Sequence, residues 1–434
     1  MARKPVGVGI IGLGTVGGGV VKLLQDMPIS LQRRKNAVFS LEKIAIREKS
    51  KNRMVSVDQK ILTEDVTELL DHPNIDMVVE LTGAPSAYDW VRGALERGKN
   101  VVTANKALLA EHGEELYKLA VDSGADLMFE ASVAGGIPVV KCLRNGLVAN
   151  RIESLYGILN GTTNYILTRM SRGEGTFAEI LADAQEIGYA EPDPTMDVSG
   201  RDAAQKLAIL SRIAFCSQAV GAEVFCEGIE HLEPIDISYA TELGYVIKLL
   251  AISKRVQSGV EMRVHPAMVP ADSLLGNINN EFNAVEVVGS SVGNQVFYGK
   301  GAGQMPTASA VVADMVELAE RKADGASPFI TDMLIGEEGL PMANLDTMEI
   351  RYFLRMQAID KPGVLEQIAN LLSARNISIA SVLQKERDVD GGYVPLIIVT
   401  HEAREMAMRQ SVEEINNLSV VHGEVRVIRI EELQ

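Results

Sequence analysis

Lys206 follows Asp202 by four residues in a segment, Gly200 to Ser217, that reads as a helix, so the ammonium and the carboxylate share one face. The acid can then orient the lysine and hold it protonated. An exposed Asp/Lys pair with this spacing is also an ordinary surface feature worth roughly 0.3–0.5 kcal/mol. What sets this pair apart is the preceding stretch Gly188-Tyr-Ala-Glu-Pro-Asp-Pro-Thr-Met-Asp197, which brings Glu191, Asp193 and Asp197 into its neighbourhood. Carboxylates and a lysine gathered downstream of a nucleotide-binding unit have the layout of a substrate site. Pro192 and Pro194 fix φ and remove backbone donors, so residues 191 to 199 are expected to form a loop.

A second constellation lies at the start of the chain. The apolar run Val6 to Ile11 leads into Gly12-Leu-Gly-Thr-Val-Gly17 and then a helical pattern through Leu24, which is strand, G-x-G-x-x-G, helix. Gly12 permits the tight turn, Gly14 lets the backbone approach a pyrophosphate, and Gly17 allows the helix to pack closely on the sheet. Thr15 and Val16 open that helix, whose N-terminus attracts phosphate, so this stretch is expected to bind a dinucleotide. Lys43 to Arg47 reads as the second strand. A site for NAD would end it with an acid for the ribose 2′-hydroxyl, but Arg47 comes first and Glu48 after it. Arg47, Lys49 and Lys51 can meet a 2′-phosphate, which favours NADP and leaves NAD open; a solvated basic loop is the alternative.

These residues need elements to position them. Ile75 to Leu81 and Asn100 to Thr103 are buried strand runs separated by a helix from Ser86 to Gly98, an alternation that implies a parallel sheet. Ligands of such sheets lie beyond the carboxyl ends of the strands, where Thr82-Gly83 and Thr103-Ala-Asn-Lys106 fall. Lys106 can therefore reach the nicotinamide or the substrate, or else cap the sheet as a surface lysine. Leu127 to Ser132 closes the sheet, and Val133-Ala-Gly-Gly-Ile-Pro138 breaks the pattern, which puts a Rossmann-type domain at 1–135.

Arg151 to Asn160 reads as a strand, Gly161-Thr-Thr-Asn-Tyr165 opens a helix with groups suited to capping, and helices Phe177 to Ile187 and Gly200 to Ser217 bracket the carboxylate loop. Residues 245–299 contain several β-rich runs, so an α+β substrate domain with a mixed sheet is expected over 136–304. A buried helix, 305–322, can return to the first domain, and 323–348 reads as a linker. Over 349–434 the order is strand Arg351 to Ile359, helix Gly363 to Arg375, strands Ile377 to Gln384 and Val394 to Thr400, helix Ala403 to Asn417 and strand Val425 to Ile430. That βαββαβ order is ferredoxin-like. The turn Asp360-Lys-Pro-Gly363 puts Pro at the head of the first helix with free amides behind it, a place for a ligand's carboxylate.

Length and composition agree with this plan. A chain of 434 residues suggests roughly three domains, and 47% apolar content is enough for their cores. With 42 basic and 58 acidic residues the net charge is −16, which argues against nucleic acid or an anionic membrane and for a small-molecule ligand. Cys142, Cys216 and Cys226 are far apart and lack metal-ligand spacing, as expected of thiols in a reducing cytoplasm. The basic start and apolar run at the N-terminus imitate a signal peptide, but the glycine spacing argues otherwise, and no stretch reaches the roughly 18 apolar residues of a membrane span.

Taken together, the glycine loop, Thr103-Ala-Asn-Lys106, Leu159-Asn-Gly-Thr-Thr-Asn-Tyr165, Gly188-Tyr-Ala-Glu-Pro-Asp-Pro194 with Asp202 and Lys206, and Asp360-Lys-Pro-Gly-Val-Leu365 resemble homoserine dehydrogenases that carry a C-terminal ACT regulatory domain. The resemblance covers nearly the whole chain. It implies reversible NAD(P)-dependent interconversion of L-aspartate 4-semialdehyde and L-homoserine, a step towards threonine, methionine and isoleucine. It implies Lys206 as proton donor and acceptor, Lys106 close by, and Glu191 and Asp202 on the substrate ammonium with Asp197 in support. Gly188 and Gly303 match positions that line the cofactor. The family also implies a monovalent cation, Na+ or K+, at Glu130, Val133, Gly135 and Ile137, and L-threonine as feedback effector near Gly363, Val364 and Asn376. ACT domains pair across interfaces, so a homo-oligomer, dimer or tetramer, is expected. Two other readings stand beside this one: another amino-acid dehydrogenase of the same plan, and a threonine sensor without turnover.

Overall fold

The computed structural model describes residues 5–433 apart from 36, 54, 218–219, 325–338 and 386–391. Short apolar strands alternating with helices build the first unit: β1 (Val6–Ile11), α1 (Thr15–Asp26), α2 (Pro28–Lys35), β2 (Phe39–Ala45), β3 (Leu62–Thr63), α3 (Val66–Leu70), β4 (Met77–Glu80), α4 (Ala87–Glu96), β5 (Asn100–Thr103), α5 (Lys106–Ser123) and β6 (Leu127–Met128). The six strands form one parallel sheet in the order β3-β2-β1-β4-β5-β6. Both faces are covered, which is why β1 and β4 are continuous apolar runs rather than alternating ones. The second strand sits earlier than Lys43 to Arg47, leaving Arg47 beyond its carboxyl end. The last strand stops at Met128 rather than Ser132, because Glu130–Ser132 turns into a 3-10 helix whose Glu130 N–H donates to Asp314 Oδ2 at 2.8 Å instead of to a neighbouring strand.

The second unit comprises α6 (Val139–Lys141), β7 (Ile152–Ile158), α7 (Gly161–Ser171), α8 (Phe177–Glu186), α9 (Thr195–Val198), α10 (Arg201–Phe215), β8 (Phe225–Cys226), α11 (Pro234–Glu242), β9 (Tyr245–Val256), β10 (Gly259–Pro270), β11 (Phe282–Gly289), β12 (Gly293–Lys300) and α12 (Gln304–Asp324). Its main strands run in the order β12-β11-β7-β9-β10, antiparallel throughout, while β8 adds a parallel pairing to β10 that makes the sheet mixed. The stretch 191–199 is not all loop. Pro194, which needs no N–H there, caps the single turn α9, and Asp193 Oδ1 accepts from the Thr195 N–H. The helix after it is shorter at both ends than Gly200 to Ser217: Gly200 is its N-cap and Cys216, at φ +53°, its C-cap. α12 returns to the first unit, where Ala308, Val311 and Met315 share a core with Val8 and Ile10. A Cβ added at Gly19 of α1 would stand 2.9 Å from the Ala308 Cβ, so only glycine allows the two helices this approach.

The third unit is β13 (Glu349–Ile359), α13 (Val364–Ser373), β14 (Ile379–Leu383), β15 (Tyr393–Thr400), β16 (Ala403–Arg404), α14 (Glu405–Asn416) and β17 (Val421–Ile430). The order β17-β13-β15-β14, antiparallel, with Ile368 and Leu372 of α13 and Met408 and Ile415 of α14 in its core, is the ferredoxin-like plan. Three details differ from the sequence reading. Ala403-Arg404 pairs with β13 before the helix starts, β17 begins four residues before Val425, and Pro362 precedes the N-cap Gly363 rather than heading the helix. Part of the stretch read as a linker, 325–338, lies outside the described residues; beyond it, Leu340 bridges Ser217 and Met342 bridges Val260. The third unit is stitched to the second by parallel pairing of β10 with β17, Ala267 opposite Arg429 and Met268 opposite Ile430. One sheet therefore runs β12-β11-β7-β9-β10-β17-β13-β15-β14.

Candidate active site

Asp202 and Lys206 sit in the first two turns of α10, which packs against α5. Lys206 Nζ donates to Asp202 Oδ2 at 2.7 Å and to the Leu159 carbonyl at 2.7 Å, while Lys106 Nζ, from the first residue of α5, lies 3.3 Å from Asp202 Oδ1. One carboxylate thus pairs with two ammoniums from two different units. Asn160, at the end of β7, donates from Nδ2 to Asp197 Oδ1 at 2.7 Å and to Asp202 Oδ2 at 2.9 Å. Its Oδ1 accepts from the Thr163 N–H at 2.9 Å and so caps α7. Burial pushes the Asp202 carboxyl up, but the Lys206 and Lys106 ammoniums and the Asn160 amide more than offset it and hold the group below the usual carboxylate range. Burial, and then the Asp202 charge, push the Asp197 carboxyl up.

Glu191 is not part of this cluster: it is exposed, and its backbone carbonyl accepts from the Gln185 amide at 3.1 Å. Gly188 is exposed at the turn after α8, where the Tyr189 carbonyl accepts from Thr162 Oγ1 at 3.1 Å, tying that turn to α7. Gly303 is exposed directly before α12.

The nucleotide side is built on β1, β4 and β5. Gly12 takes φ +100°, and a Cβ there would stand 2.8 Å from Thr82 Cγ2; a Cβ at Gly17 would be 2.1 Å from the Gly12 carbonyl oxygen. At Gly14, the N-cap of α1, there is open space, and no side chain caps the amides of Thr15 and Val16. That geometry suits a phosphate. Thr82 and Thr103 are fixed by one buried carboxylate: Glu80 Oε1 accepts from the Thr82 N–H and Oγ1, both at 2.7 Å, and Oε2 from Thr103 Oγ1 at 2.7 Å. Thr103 in turn leads to Asn105, whose side chain caps α5 and so places Lys106. Arg47 is exposed beside the cradle, and Arg53 donates to the Leu13 carbonyl at 3.0 Å and the Glu48 carbonyl at 2.6 Å, holding the loop after β2 against the glycine turn.

Glu130, Val133, Gly135 and Ile137 are all buried in one short turn. The Glu130 carboxylate accepts from the Val140 and Lys141 N–H groups at 2.9 and 2.7 Å, and burial pushes it up to about 7 against those bonds. No hydrogen bond reaches the carbonyls of Val133 or Gly135 among the described residues. The turn therefore offers backbone carbonyls, and among the described residues no group of three His, Cys, Asp or Glu side chains stands ready for a metal. In the third unit Gly363, at φ +85°, opens α13 with no side-chain cap, Val364 is buried behind it, and Asn376, at φ +58°, is exposed after the helix.

Sequence reasoning missed Asn160, Glu80 and Arg53 as site residues. Asn160 carried a signal, since it ends a strand and precedes the helix-opening Gly161; Glu80 and Arg53 carried none, because their partners come only with the fold.

The homoserine dehydrogenase family profile matches residues 138–316, the NAD-binding domain profile of homoserine dehydrogenase residues 12–130, and the ACT domain profile residues 352–426. The homoserine dehydrogenase of Pseudomonas aeruginosa is 44% identical over 434 residues, covering 99% of this chain and 100% of its own, and that of Bacillus subtilis 38% identical over 430 residues, covering 99% of each. Among solved structures, a homoserine dehydrogenase from Thiobacillus denitrificans superposes with a TM-score of 0.93 at 41% identity over 99% of both chains, and one from S. aureus with 0.77 at 34% over 99% of both. With the glycine cradle, the paired lysines and the ferredoxin-like third unit accounted for together, the chain belongs to the homoserine dehydrogenase family, NAD(P)-dependent oxidoreductases that interconvert L-homoserine and L-aspartate 4-semialdehyde.

Proposed function

We propose that Lys206 carries the proton of this interconversion. The observation that carries the reading is its Nζ held at 2.7 Å by both Asp202 Oδ2 and the Leu159 carbonyl, with Lys106 on the second oxygen of the same carboxylate. When bound, the nicotinamide supplies and takes back the hydride. Lys206 in its neutral form accepts the hydroxyl proton as homoserine is oxidised, becoming the ammonium, and the ammonium returns that proton to the alkoxide in the reverse direction. Asp202 keeps both lysines oriented, and Lys106, from the nucleotide side, joins it across the cleft. The substrate ammonium is bound by Asp202 and Asp197, with Glu191 reaching it once its loop turns inward.

The cofactor lies over Gly12, Gly14, Thr15, Val16 and Gly17, against Thr82 and Lys106, with Gly188 and Gly303 on its far side; the exposed Arg47 favours NADP over NAD. A monovalent cation, Na+ or K+, is held by the carbonyls of Glu130, Val133, Gly135 and Ile137, a reading supported by the carbonyls of Val133 and Gly135, which accept no hydrogen bond among the described residues. L-Threonine binds at Gly363, Val364 and Asn376 as feedback inhibitor, a reading supported by the uncapped start of α13. The domains run 1–135, with α12 returning to it, 136–304 and 349–434, with 323–348 as a linker. The outer edge of β14 has no strand beside it among the described residues, which supports a homo-oligomer, dimer or tetramer. Three free cysteines support a cytoplasmic location.

The test is homoserine oxidation by the purified protein, followed at the nicotinamide absorbance with NADP and NAD in parallel, with and without threonine. Faster turnover with NADP and suppression by threonine are expected. Equal rates with the two cofactors remove the Arg47 assignment, and turnover indifferent to threonine removes the effector.

A further inference from the structure

Glu80, at the carboxyl end of β4, is fully buried, yet its donors are all neutral groups: the Thr82 N–H, the Thr82 hydroxyl and the Thr103 hydroxyl. Burying a carboxylate without a cation is costly, so a mere link between β4 and β5 would not call for one. The two hydroxyls show what requires it. Thr82 Oγ1 already accepts the Ala84 N–H at 3.1 Å, and Thr103 Oγ1 the Asn105 N–H at 3.0 Å, so each hydroxyl turns its proton towards Glu80. A carboxylate accepts at both oxygens, whereas the amide of a glutamine accepts at one end and donates at the other. Glu80 is thus the side chain that satisfies both turns at once.

Those turns serve different parts of the site. Thr82 lies against the glycine turn, where a Cβ at Gly12 would stand 2.8 Å from its Cγ2. Thr103, opposite Glu80 in the β4–β5 register, fixes the backbone of Asn105, whose side chain caps α5; Lys106 is the first residue of that helix and lies 3.3 Å from Asp202 Oδ1. We propose that Glu80 is a positioning residue for the reaction, holding Lys106 at a set distance from the cofactor wall through Thr103 and Asn105. Its two oxygens divide the work, Oε1 on the cofactor side and Oε2 on the lysine side, so the Oε2 arm governs the rate of hydride transfer and not the affinity for nucleotide. This inference rests on the reading that Lys106 and Thr82 flank the reacting centre.

Glu80→Gln keeps the volume and an acceptor for Thr82, but turns an NH2 towards Thr103 and leaves that hydroxyl proton without a partner; Thr103→Val breaks the same arm from the other side. The experiment measures single-turnover hydride transfer from homoserine to NADP, and NADP affinity by titration, in the full chain. Wild type, Glu80→Gln, Thr103→Val, Thr103→Ser and Lys106→Ala are compared, and the first two substitutions are also combined with Lys106→Ala. Glu80→Gln and Thr103→Val should each slow transfer about tenfold with NADP affinity held, Thr103→Ser should recover most of the rate, and neither loss should recur once Lys106→Ala is present. A role in the fold alone would slow both backgrounds equally, and if one of the two variants folds poorly the other carries the comparison. Wild-type transfer in the folded variants, the full loss repeated on top of Lys106→Ala, or NADP affinity falling in step with the rate would each overturn the proposal. Lys106→Ala turning over at the wild-type rate would overturn the reading of Lys106 and this inference with it, whereas a slow Lys106→Ala beside an unimpaired Glu80→Gln would overturn this inference alone.

Discussion

Asn160 holds Asp197 and Asp202 with a single amide nitrogen, at 2.7 and 2.9 Å, while its oxygen caps α7. Burial and then the Asp202 charge push the Asp197 carboxyl up, and without that nitrogen the two acids would face each other unbridged. Asn160→Ala should lower kcat/KM for homoserine by about 10- to 100-fold, the effect of removing a buried donor from charged acceptors, and leave NADP affinity unchanged. Steady-state kinetics beside a nucleotide titration checks this; an unchanged kcat/KM would show that the two acids need no clamp.

Lys206→Ala should reduce kcat by about a thousandfold, the usual scale of a lost general acid-base group, with little change in nucleotide binding. Single-turnover measurement of hydride transfer separates this from slow release. A kcat within a few-fold of wild type, on the same scale, would take Lys206 out of the chemistry.

At Arg47 the outcome is a ratio. Arg47→Ala should cut kcat/KM with NADP by about tenfold and spare NAD, since only NADP carries the 2′-phosphate. Parallel losses with both cofactors would assign the residue to the fold of the loop instead.

Arg429 of β17 bonds Glu405 inside the third unit, through Nε at 3.0 Å and Nη2 at 2.6 Å, and reaches Glu227 of the second unit with its remaining nitrogen. Glu227 follows Cys226, whose thiol donates to the Ser199 carbonyl, one residue before the N-cap of α10. Glu227→Gln should leave uninhibited turnover as it was and raise the threonine concentration needed for half inhibition several-fold. Dose-response curves for the two proteins decide it; superimposable curves would mean that coupling runs elsewhere.

Lys248 is buried with no carboxylate partner among the described residues, its ammonium shared by the Ile278 carbonyl and the Asn164 and Asn279 side-chain oxygens, and burial lowers its pKa to about 8. The folded protein therefore holds fewer protons than the unfolded chain between about pH 8 and the ordinary lysine value, so stability rises with pH across that window and the benefit is lost as pH falls through 8. Thermal melts from pH 7 to 10 should show this rise, on the order of 3 kcal/mol, and Lys248→Met should flatten it.

How much of this was legible in the sequence depends on the range of the interaction. The glycine turn and the Asp202-Lys206 pair are local, set by spacings of two to four residues, and both stand as read. The Lys106–Asp202 contact joins α5 to α10, and the Glu80 clamp joins β4 to β5, so neither has a local signature. Element ends slipped where a tertiary partner competes for the backbone, as when Asp314 draws the Glu130 N–H out of the strand. Glu191 was grouped with the other acids by proximity in sequence, but it is exposed ahead of the turn α9, whereas Asp197 lies within that turn and bonds Asn160.

The parallel ladder between β10 and β17 makes the third unit a seam rather than an appendage. Ala267 and Met268 are fully buried under it, and the buried Arg263 is neutralised there by Glu431 at 2.7 Å as well as by Glu261. Trimming the chain before β13 would turn an interior strand into a bare apolar edge with an undercompensated guanidinium, the form of surface that recruits strands from other molecules. Insensitivity to an effector is therefore better sought by point substitution at the seam than by truncation, because a shortened chain would report on aggregation first.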